Sequence, residues 1–251
     1  MWYRAGHVNY NAIYYANSTD GLNWTKYGYV YPAVVYASVI MLPNGSFEMY
    51  HSKGGNWNIW RTTSTNGLNW TTPQCIISPS VNGWDNFELY NSFVYYDFNT
   101  GMRHMLYEAK GNGSPYFQVG YAYSLDGVTW AKYAYNPVIP ATSLYGISNP
   151  WLTKIDGEYY TVISKNRHST TPYDDATYAA KSTDMIHWAT SNKQIIPTDQ
   201  QWETLHNGVG VADPCIIEAQ GKTWFFYNGD QDSIGVAYSD SSLKEFVAYW
   251  F

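Results

Sequence analysis

The segment Ala16-Asn-Ser-Thr-Asp-Gly-Leu-Asn-Trp24 decides the fold, because it recurs along the chain. Clear copies occupy residues 62–70, 122–130 and 180–188, and a weaker copy occupies residues 237–246. Asp-Gly or Asn-Gly supplies the left-handed backbone of a tight hairpin turn, and the Ser and Asp side chains can bond backbone groups inside it. Successive copies lie roughly 46 to 60 residues apart, which is the scale of one blade of a β-propeller.

The segments around each turn predict strands in a fixed order. The third unit shows four of them, at residues 92–96, 102–108, 117–123 and 137–139. Helical periodicity is absent, so the sequence predicts an all-β chain, a five-bladed β-propeller of four-stranded antiparallel blades. We expect one domain over residues 1–251, with blades at 1–36, 37–84, 85–142, 143–203 and 204–251.

The first unit departs from this order, because it starts at the second strand, Met1–Arg4, and has no innermost strand. We therefore expect a first blade of three strands, or one whose inner edge is filled by residues 247–251 or by another chain. An unpaired inner edge favours pairing between copies, so the chain is expected to be a monomer or a dimer formed through the incomplete blade.

The amino-acid composition favours some classes of binding partner and argues against others. The 251 residues include 26 Tyr and 12 Trp but only 14% charged residues, with a net charge of −6. Aromatic side chains suit pleated strands, and their faces also cover the apolar faces of sugars. The lack of a basic cluster argues against nucleic acid, and no apolar run reaches the roughly 18 residues of a membrane span. No signal peptide is visible at the N-terminus, which leaves secreted and cytoplasmic locations open.

Blade topology predicts where a site would lie. The connection before a first strand and the connection after a second strand emerge on the same face, so residues there surround one mouth. Hydrolysis of a glycosidic bond needs two carboxylates about 5 to 9.5 Å apart. Asp213 and Glu108 are the first predicted catalytic pair, and Glu88 is the third candidate. The alternatives are a simple turn at Asp213 and an ion pair of Glu108 with Lys110 or Arg103.

Further polar residues fall at the same starts and ends of strands and are predicted to bind substrate. They are Arg4, His51, Asn91, Asn149, Lys165, Arg167, Asn228 and Asp230. No cofactor is required and no metal ligand set is recognised. His206 is a weak indication of a central structural ion such as calcium, or of a water. The pair Trp84-Asp85 recurs as Trp202-Glu203, and this repetition favours an architectural role.

The pattern Ala-x-Ser-x-Asp-Gly-x-x-Trp, together with Ala212-Asp-Pro-Cys-Ile-Ile217, resembles the five-bladed propeller glycosidases. The strongest likeness is to glycoside hydrolase family 43 (arabinanases, β-xylosidases and arabinofuranosidases) and its fructan-cleaving relatives. The resemblance implies an Asp base at the start of the first inner strand, a second Asp that tunes the acid, and a Glu acid. Only the Asp-Pro element carries over here, to Asp213, which lies in the last blade.

Three interpretations of this departure remain open: a truncated chain, a permuted arrangement, or a propeller that has lost catalysis. The leading hypothesis is a glycoside hydrolase acting on poly- or oligosaccharides. The alternative is a non-catalytic, lectin-like carbohydrate-binding propeller or an inactive homologue. A lectin with one site in each blade would not need polar residues that differ from blade to blade, so the asymmetry favours one axial active site.

Overall fold

The structure, a computed structural model, describes residues 1–5, 12–32, 34–52, 57–167, 176–197, 200, 203, 211–230 and 233–251. At positions 35, 166, 167 and 230 it describes the backbone alone. Within these residues the chain forms eighteen strands in five sheets and one short helix.

The first sheet contains β1 (Trp2–Ala5), β2 (Ala12–Asn17) and β3 (Thr25–Pro32). The second contains β4 (Val35–Met41), β5 (Phe47–Ser52), β6 (Ile59–Ser64) and β7 (Gln74–Ile77). The third contains β8 (Glu88–Tyr96), β9 (Arg103–Lys110), β10 (Gln118–Ser124) and β11 (Ala131–Lys132). The fourth contains β12 (Tyr145–Ile155), β13 (Glu158–Arg167), β14 (Ala176–Ser182) and β15 (Ala189–Gln194). The fifth contains β16 (Ala212–Ala219), β17 (Lys222–Asp230) and β18 (Ser233–Ser239), followed by helix α1 (Leu243–Ala248).

Sequential antiparallel pairing within each sheet makes the fold an all-β, five-bladed β-propeller, which confirms the predicted class. In the described part of the chain the first sheet has three strands, also as predicted. The proposal that residues 247–251 replace its missing strand is wrong, because this segment holds the end of α1 and a turn. Whether the chain dimerises through the first blade stays a prediction.

The fifth sheet also has three strands in the part of the chain described, where the repeat predicts four. The weakened turn motif explains the difference. Instead of an Asp-Gly hairpin, Ser242 caps α1, accepting a hydrogen bond from the Glu245 amide while the Glu245 side chain accepts one from the Ser242 amide. This reciprocal capping box stabilises the first turn of α1, so the chain after β18 continues as a helix and not as a fourth strand.

Contacts divide the chain into two compact units. The first comprises residues 1–113 with 121–136, and the second comprises residues 114–120 with 137–251. In the first unit, Tyr50, Leu89, Met105 and Tyr107 form a fully buried cluster with their neighbours. Burial of such large side chains supplies most of the driving force for packing, about 1.5–3 kcal/mol each.

The repeated turns have the predicted internal bonding. In the first, the Ser18 hydroxyl accepts from the Gly21 amide at 2.9 Å, and the Asp20 carboxylate accepts from the Asn23 amide at 2.7 Å. The Trp24 indole then donates to the Gly21 carbonyl at 3.0 Å. The third and fourth turns repeat all three kinds of bond. These Asp residues are therefore structural.

The second turn differs in one bond. Its Gly67 carbonyl accepts from the Trp2 indole at 2.8 Å, so the first sheet replaces Trp70 as the donor. The Trp2 and Trp70 rings meet edge to face with centroids 6.3 Å apart. A strand of the first sheet thus completes a turn of the second.

A buried charge cluster joins the second and third sheets. Glu48, which is 0% exposed, accepts from Tyr50 at 2.6 Å, Arg103 at 2.7 Å and Arg61 at 2.5 Å. Burial alone would raise the pKa of Glu48, but these hydrogen bonds outweigh it and hold the pKa below its usual value. Arg103 also donates to the Leu125 carbonyl in the third turn at 2.6 Å. Removing one member of such a cluster leaves a buried charge unpaired, which costs about 3–5 kcal/mol.

The recurring acidic residues before the third and fifth sheets also make structural bonds. Asp85 accepts from Lys132 at 2.7 Å and from the Tyr107 hydroxyl at 3.2 Å. Glu203 accepts from the Tyr227 hydroxyl at 2.9 Å. Each carboxylate therefore binds a tyrosine on the second strand of its own sheet, in agreement with an architectural role.

Candidate functional site

The first strands of sheets two to five share a local irregularity close to their beginnings. In each, the pairing with the second strand slips by one residue, so that an extra residue is accommodated in a β-bulge. The bulges contain Tyr36, Tyr90 with Asn91, Asn149 with Pro150, and Asp213 with Pro214. Bulges reorient side chains and are over-represented beside active sites.

Three of these bulge residues have a backbone conformation that side chains disfavour. The φ angles are 54° at Tyr36, 53° at Asn149 and 51° at Asp213. Such a conformation costs about 1–3 kcal/mol and persists only where the surroundings impose it. The same position in three sheets therefore combines a bulge with strain, which marks it as a candidate for function.

Glu108 lies opposite the bulge of the third sheet. On β9 it falls between Tyr107, which pairs with Ser92, and Ala109, which pairs with Leu89. Sheets four and five have Ile163 and Tyr227 at the corresponding position. Glu108 is only 5% exposed. A buried carboxyl at a position that is otherwise apolar or aromatic is informative, because burying it is unfavourable unless it is compensated.

The cations considered as partners of Glu108 bind other carboxylates. Lys110 forms an ion pair with Glu88 at 2.9 Å, and Arg103 binds Glu48. Glu88 is 8% exposed and begins β8. The ion pair gives Glu88 a partner on the neighbouring strand β9.

An aromatic cluster surrounds the bulge of β8. The Tyr90 ring lies 4.4 Å from the Trp57 ring and 5.8 Å from the Tyr36 ring, and the Arg4 guanidinium lies 5.9 Å from the centre of the Tyr36 ring. Trp57 also has a positive φ, of 48°. Sequence reasoning missed these three aromatic residues. Tyr36 and Tyr90 directly precede Ala37 and Asn91 at predicted strand starts, so a shift of one residue along each strand would have found both.

The electrostatic surroundings of Tyr90 bring two predicted carboxylates together with it. Burial raises the pKa of the Tyr90 hydroxyl, and the neighbouring Glu88, Tyr36 and Glu108 raise it further. Tyr90 therefore remains a neutral phenol.

The remaining candidates of the first unit are placed differently. His51 is 1% exposed, pairs with Ala37 and packs against the Tyr31 ring at 5.4 Å. It therefore lies in the interior and not on an open surface. Asn91 is partly exposed within the bulge of β8.

In the second unit, the Asn149 amide donates to the Ser164 hydroxyl at 3.4 Å. The Lys165 ammonium lies 4.0 Å from the centre of the Tyr178 ring, and burial lowers the pKa of Lys165. Asp213 is exposed, and Asn228 pairs with Ala212 beside it. The cation–π contact stabilises the Lys165 ammonium, whereas its burial opposes the charged form.

The structure does not test the predicted catalytic pair, since Glu108 belongs to the first unit and Asp213 to the second. Arg167 and Asp230 lie in β13 and β17, but their side chains are outside the described part, as is all of His206. Among the described residues, no group of three or more His, Cys, Asp or Glu side chains is arranged to hold a metal ion.

Several solved structures share this fold. A glycosyl hydrolase from Bacteroides ovatus has a TM-score of 0.74 and 14% identity, over 95% of this chain and 79% of that one. A thermostable family-43 glycoside hydrolase has a TM-score of 0.69 and 18% identity, over 83% of this chain and 69% of that one. A β-fructofuranosidase of family 32 from Bombyx mori has a TM-score of 0.58 and 16% identity, over 82% of this chain and 45% of that one.

The chain therefore has the fold of the five-bladed propeller glycoside hydrolases, and the predicted resemblance is confirmed at the level of fold. No protein-family model matches the sequence, and no curated protein sequence matches it. In the described residues, no helix is long and apolar enough to cross a membrane.

Proposed function

We propose that the protein is a glycoside hydrolase that cleaves poly- or oligosaccharides with a carboxylate acid/base pair. The observation that carries this proposal is the buried Glu108 opposite a bulge, beside an aromatic cluster, in a fold shared with glycoside hydrolases. Glycosidic bonds are stable in water, and their cleavage needs a proton for the leaving oxygen together with a base or nucleophile at the sugar carbon.

In this proposal Glu108 is the general acid and Asp213 is the base or nucleophile. A buried position suits a carboxyl that must carry a proton, whereas an exposed one suits a carboxylate that must stay ionised and meet water. Glu88, which forms an ion pair with Lys110, is the third candidate for a catalytic carboxyl group. The reaction requires no cofactor, because one carboxyl group protonates the leaving oxygen and the other activates water as a base or attacks the sugar carbon as a nucleophile.

The test is turnover by the parent protein and by Glu108→Gln on arabinoside, xyloside, galactoside and fructoside substrates. We expect cleavage of one class by the parent and a loss of about 10²- to 10⁴-fold in Glu108→Gln, since general acid catalysis contributes that much. Glu158→Gln is the control, because Glu158 lies at the end of β13 remote from the bulge of its sheet and accepts from the Tyr160 hydroxyl at 2.8 Å. Full activity in a folded Glu108→Gln protein would contradict the assignment.

A non-catalytic carbohydrate-binding propeller is the second candidate. It is favoured by the four bulges of sheets two to five, since only that of sheet five contains a carboxylate, at Asp213. Binding of oligosaccharides by the parent without cleavage of any substrate would support this alternative.

A further inference from the structure

Two aromatic rings, one just before β6 and one near the start of β8, are held in place through their backbones. The Trp57 carbonyl accepts from the Leu89 amide at 3.1 Å, and the Tyr90 carbonyl accepts from the Ser52 hydroxyl at 2.8 Å. Each ring is thus anchored to the sheet that carries the other. Their centroids are 4.4 Å apart with an angle of 35° between the planes, and both side chains are partly exposed.

This arrangement differs from ordinary aromatic packing in its backbone. Trp57 and the adjoining Tyr36 both have positive φ, which is rare for bulky side chains. By contrast, Tyr96 and Phe98 form an aromatic pair at the other end of β8, with centroids 5.1 Å apart, and neither has a positive φ. Backbone strain of this kind clusters at ligand-binding sites, which makes the position of these rings a candidate for binding.

From this geometry we propose that Trp57 and Tyr90 form a stacking platform for a neutral sugar ring; the proposal rests on the carbohydrate function proposed above. A pyranose or furanose has an apolar face of C–H groups that an aromatic face covers, while ring edges remain available to hydroxyl groups. Because the rings are anchored before binding, little conformational entropy is lost when a ligand binds.

The charges around the platform select the class of sugar. The Lys110 ammonium is paired with Glu88, and the Arg4 guanidinium lies over the Tyr36 ring. Glu88 lies two residues before Tyr90 on β8, and Glu108 lies opposite the bulge that contains Tyr90, so two carboxyl groups adjoin the platform. A uronic acid would bring a further negative charge to this place, whereas an uncharged sugar would not.

The experiment measures binding in the Asp213→Asn protein, so that cleavage does not consume the ligand and both carboxyl groups beside the platform are kept. Isothermal titration uses neutral arabino-, xylo-, galacto- and fructo-oligosaccharides, with oligogalacturonate as the charged probe. We expect at least one neutral ligand to bind, with Trp57→Ala weakening its Kd about tenfold or more and Trp57→Phe weakening it about threefold or less. Phe98→Ala, at the far end of β8, should leave the Kd unchanged.

The outcomes separate this proposal from the hydrolase assignment. Unchanged affinity in a folded Trp57→Ala protein, no binding of any neutral ligand, or tighter binding of oligogalacturonate would each overturn the platform. If the parent cleaves a substrate and Trp57→Ala keeps its KM, the hydrolase stands without the platform. If binding depends on Trp57 but the parent cleaves nothing, the platform stands and the hydrolase falls.

Discussion

The outer turns and the inner bulges of this protein repeat in opposite ways. In the turns both the residue and its hydrogen bond recur, since Ser18, Ser124 and Ser182 each accept from the amide three residues on. In the bulges the backbone recurs but the side chain does not, with an aromatic, an amide or a carboxylate at equivalent positions. Repetition of residues therefore indicates architecture, whereas repetition of backbone with varied residues indicates a place available for function.

The most demanding test of this contrast exchanges a carboxylate for an amide in each region. We expect Asp213→Asn, in a bulge, to lower turnover by about 10²-fold or more with little change in Tm, since it removes the base of the proposed reaction. Asp126→Asn, in a turn, should keep turnover near the parent value. The test measures the turnover and the thermal melting of both variants. Equal activity of the two would contradict a functional role for the bulge residue Asp213.

The structural role of the turns can be tested at Gly127 in the third turn. This residue has a φ of 75°, and an added methyl group would lie 2.9 Å from Arg103 Nε and 3.0 Å from the Tyr50 hydroxyl. We expect Gly127→Ala to destabilise the protein by at least about 2 kcal/mol, through strain and displacement of the buried charge cluster. Denaturant unfolding measures this value.

Gly45 is the matched control for that substitution. Its φ is 81°, and nothing lies within 4 Å of an added methyl group. Gly45→Ala should therefore cost only the backbone strain, about 1 kcal/mol. Equal losses at both positions would show that close packing around Gly127 is unimportant.

A further prediction asks whether the turn needs the charge of Asp126 or only a hydrogen-bond acceptor at this position. Its carboxylate accepts from the Val128 and Thr129 amides at 2.8 and 2.7 Å. In the second turn, the Asn66 side chain accepts the equivalent pair of bonds at 3.0 and 2.9 Å. Asp126→Asn should thus retain most of the thermal stability, whereas Asp126→Ala should lower Tm clearly. Thermal melts at neutral pH measure this. An equal loss of Tm in Asp126→Asn and Asp126→Ala would contradict the prediction.

The smallest expected effect is a pH dependence of the difference in Tm between the parent and Asp126→Asn. Backbone hydrogen bonds from Thr129 and Val128 hold the pKa of Asp126 below its usual value of 3.8. The charged carboxylate therefore stabilises the fold above this pH, and its contribution declines as the pH falls towards the lower, folded-state pKa. The Tm difference between the parent and Asp126→Asn should be constant near neutral pH and shrink below 3.8. A difference that stays constant with acidification would refute this linkage.

The sequence predicts the propeller because its turn motif is local: Ser, Asp and Gly act within four residues of one another. It also places Glu108 on the second strand of the third sheet and Asp213 on the first strand of the fifth sheet, where the structure has them. It misses the platform at Trp57 because a β-bulge and a positive φ leave no fixed signature for aromatic residues. It also cannot find the bonds from Glu48 to Arg103 and from Trp2 to Gly67, since both join residues more than fifty positions apart.

The Glu48 cluster has a consequence for the dynamics of the first unit. Each blade of a propeller contacts mainly its neighbours, so blades of such proteins can open separately. Here Arg61 and Arg103 share one buried carboxylate, and neither sheet can separate from the other without exposing uncompensated charge. Sheets two and three should therefore behave as one cooperative unfolding unit, with the amides of β5 and β9 exchanging with solvent at a common rate.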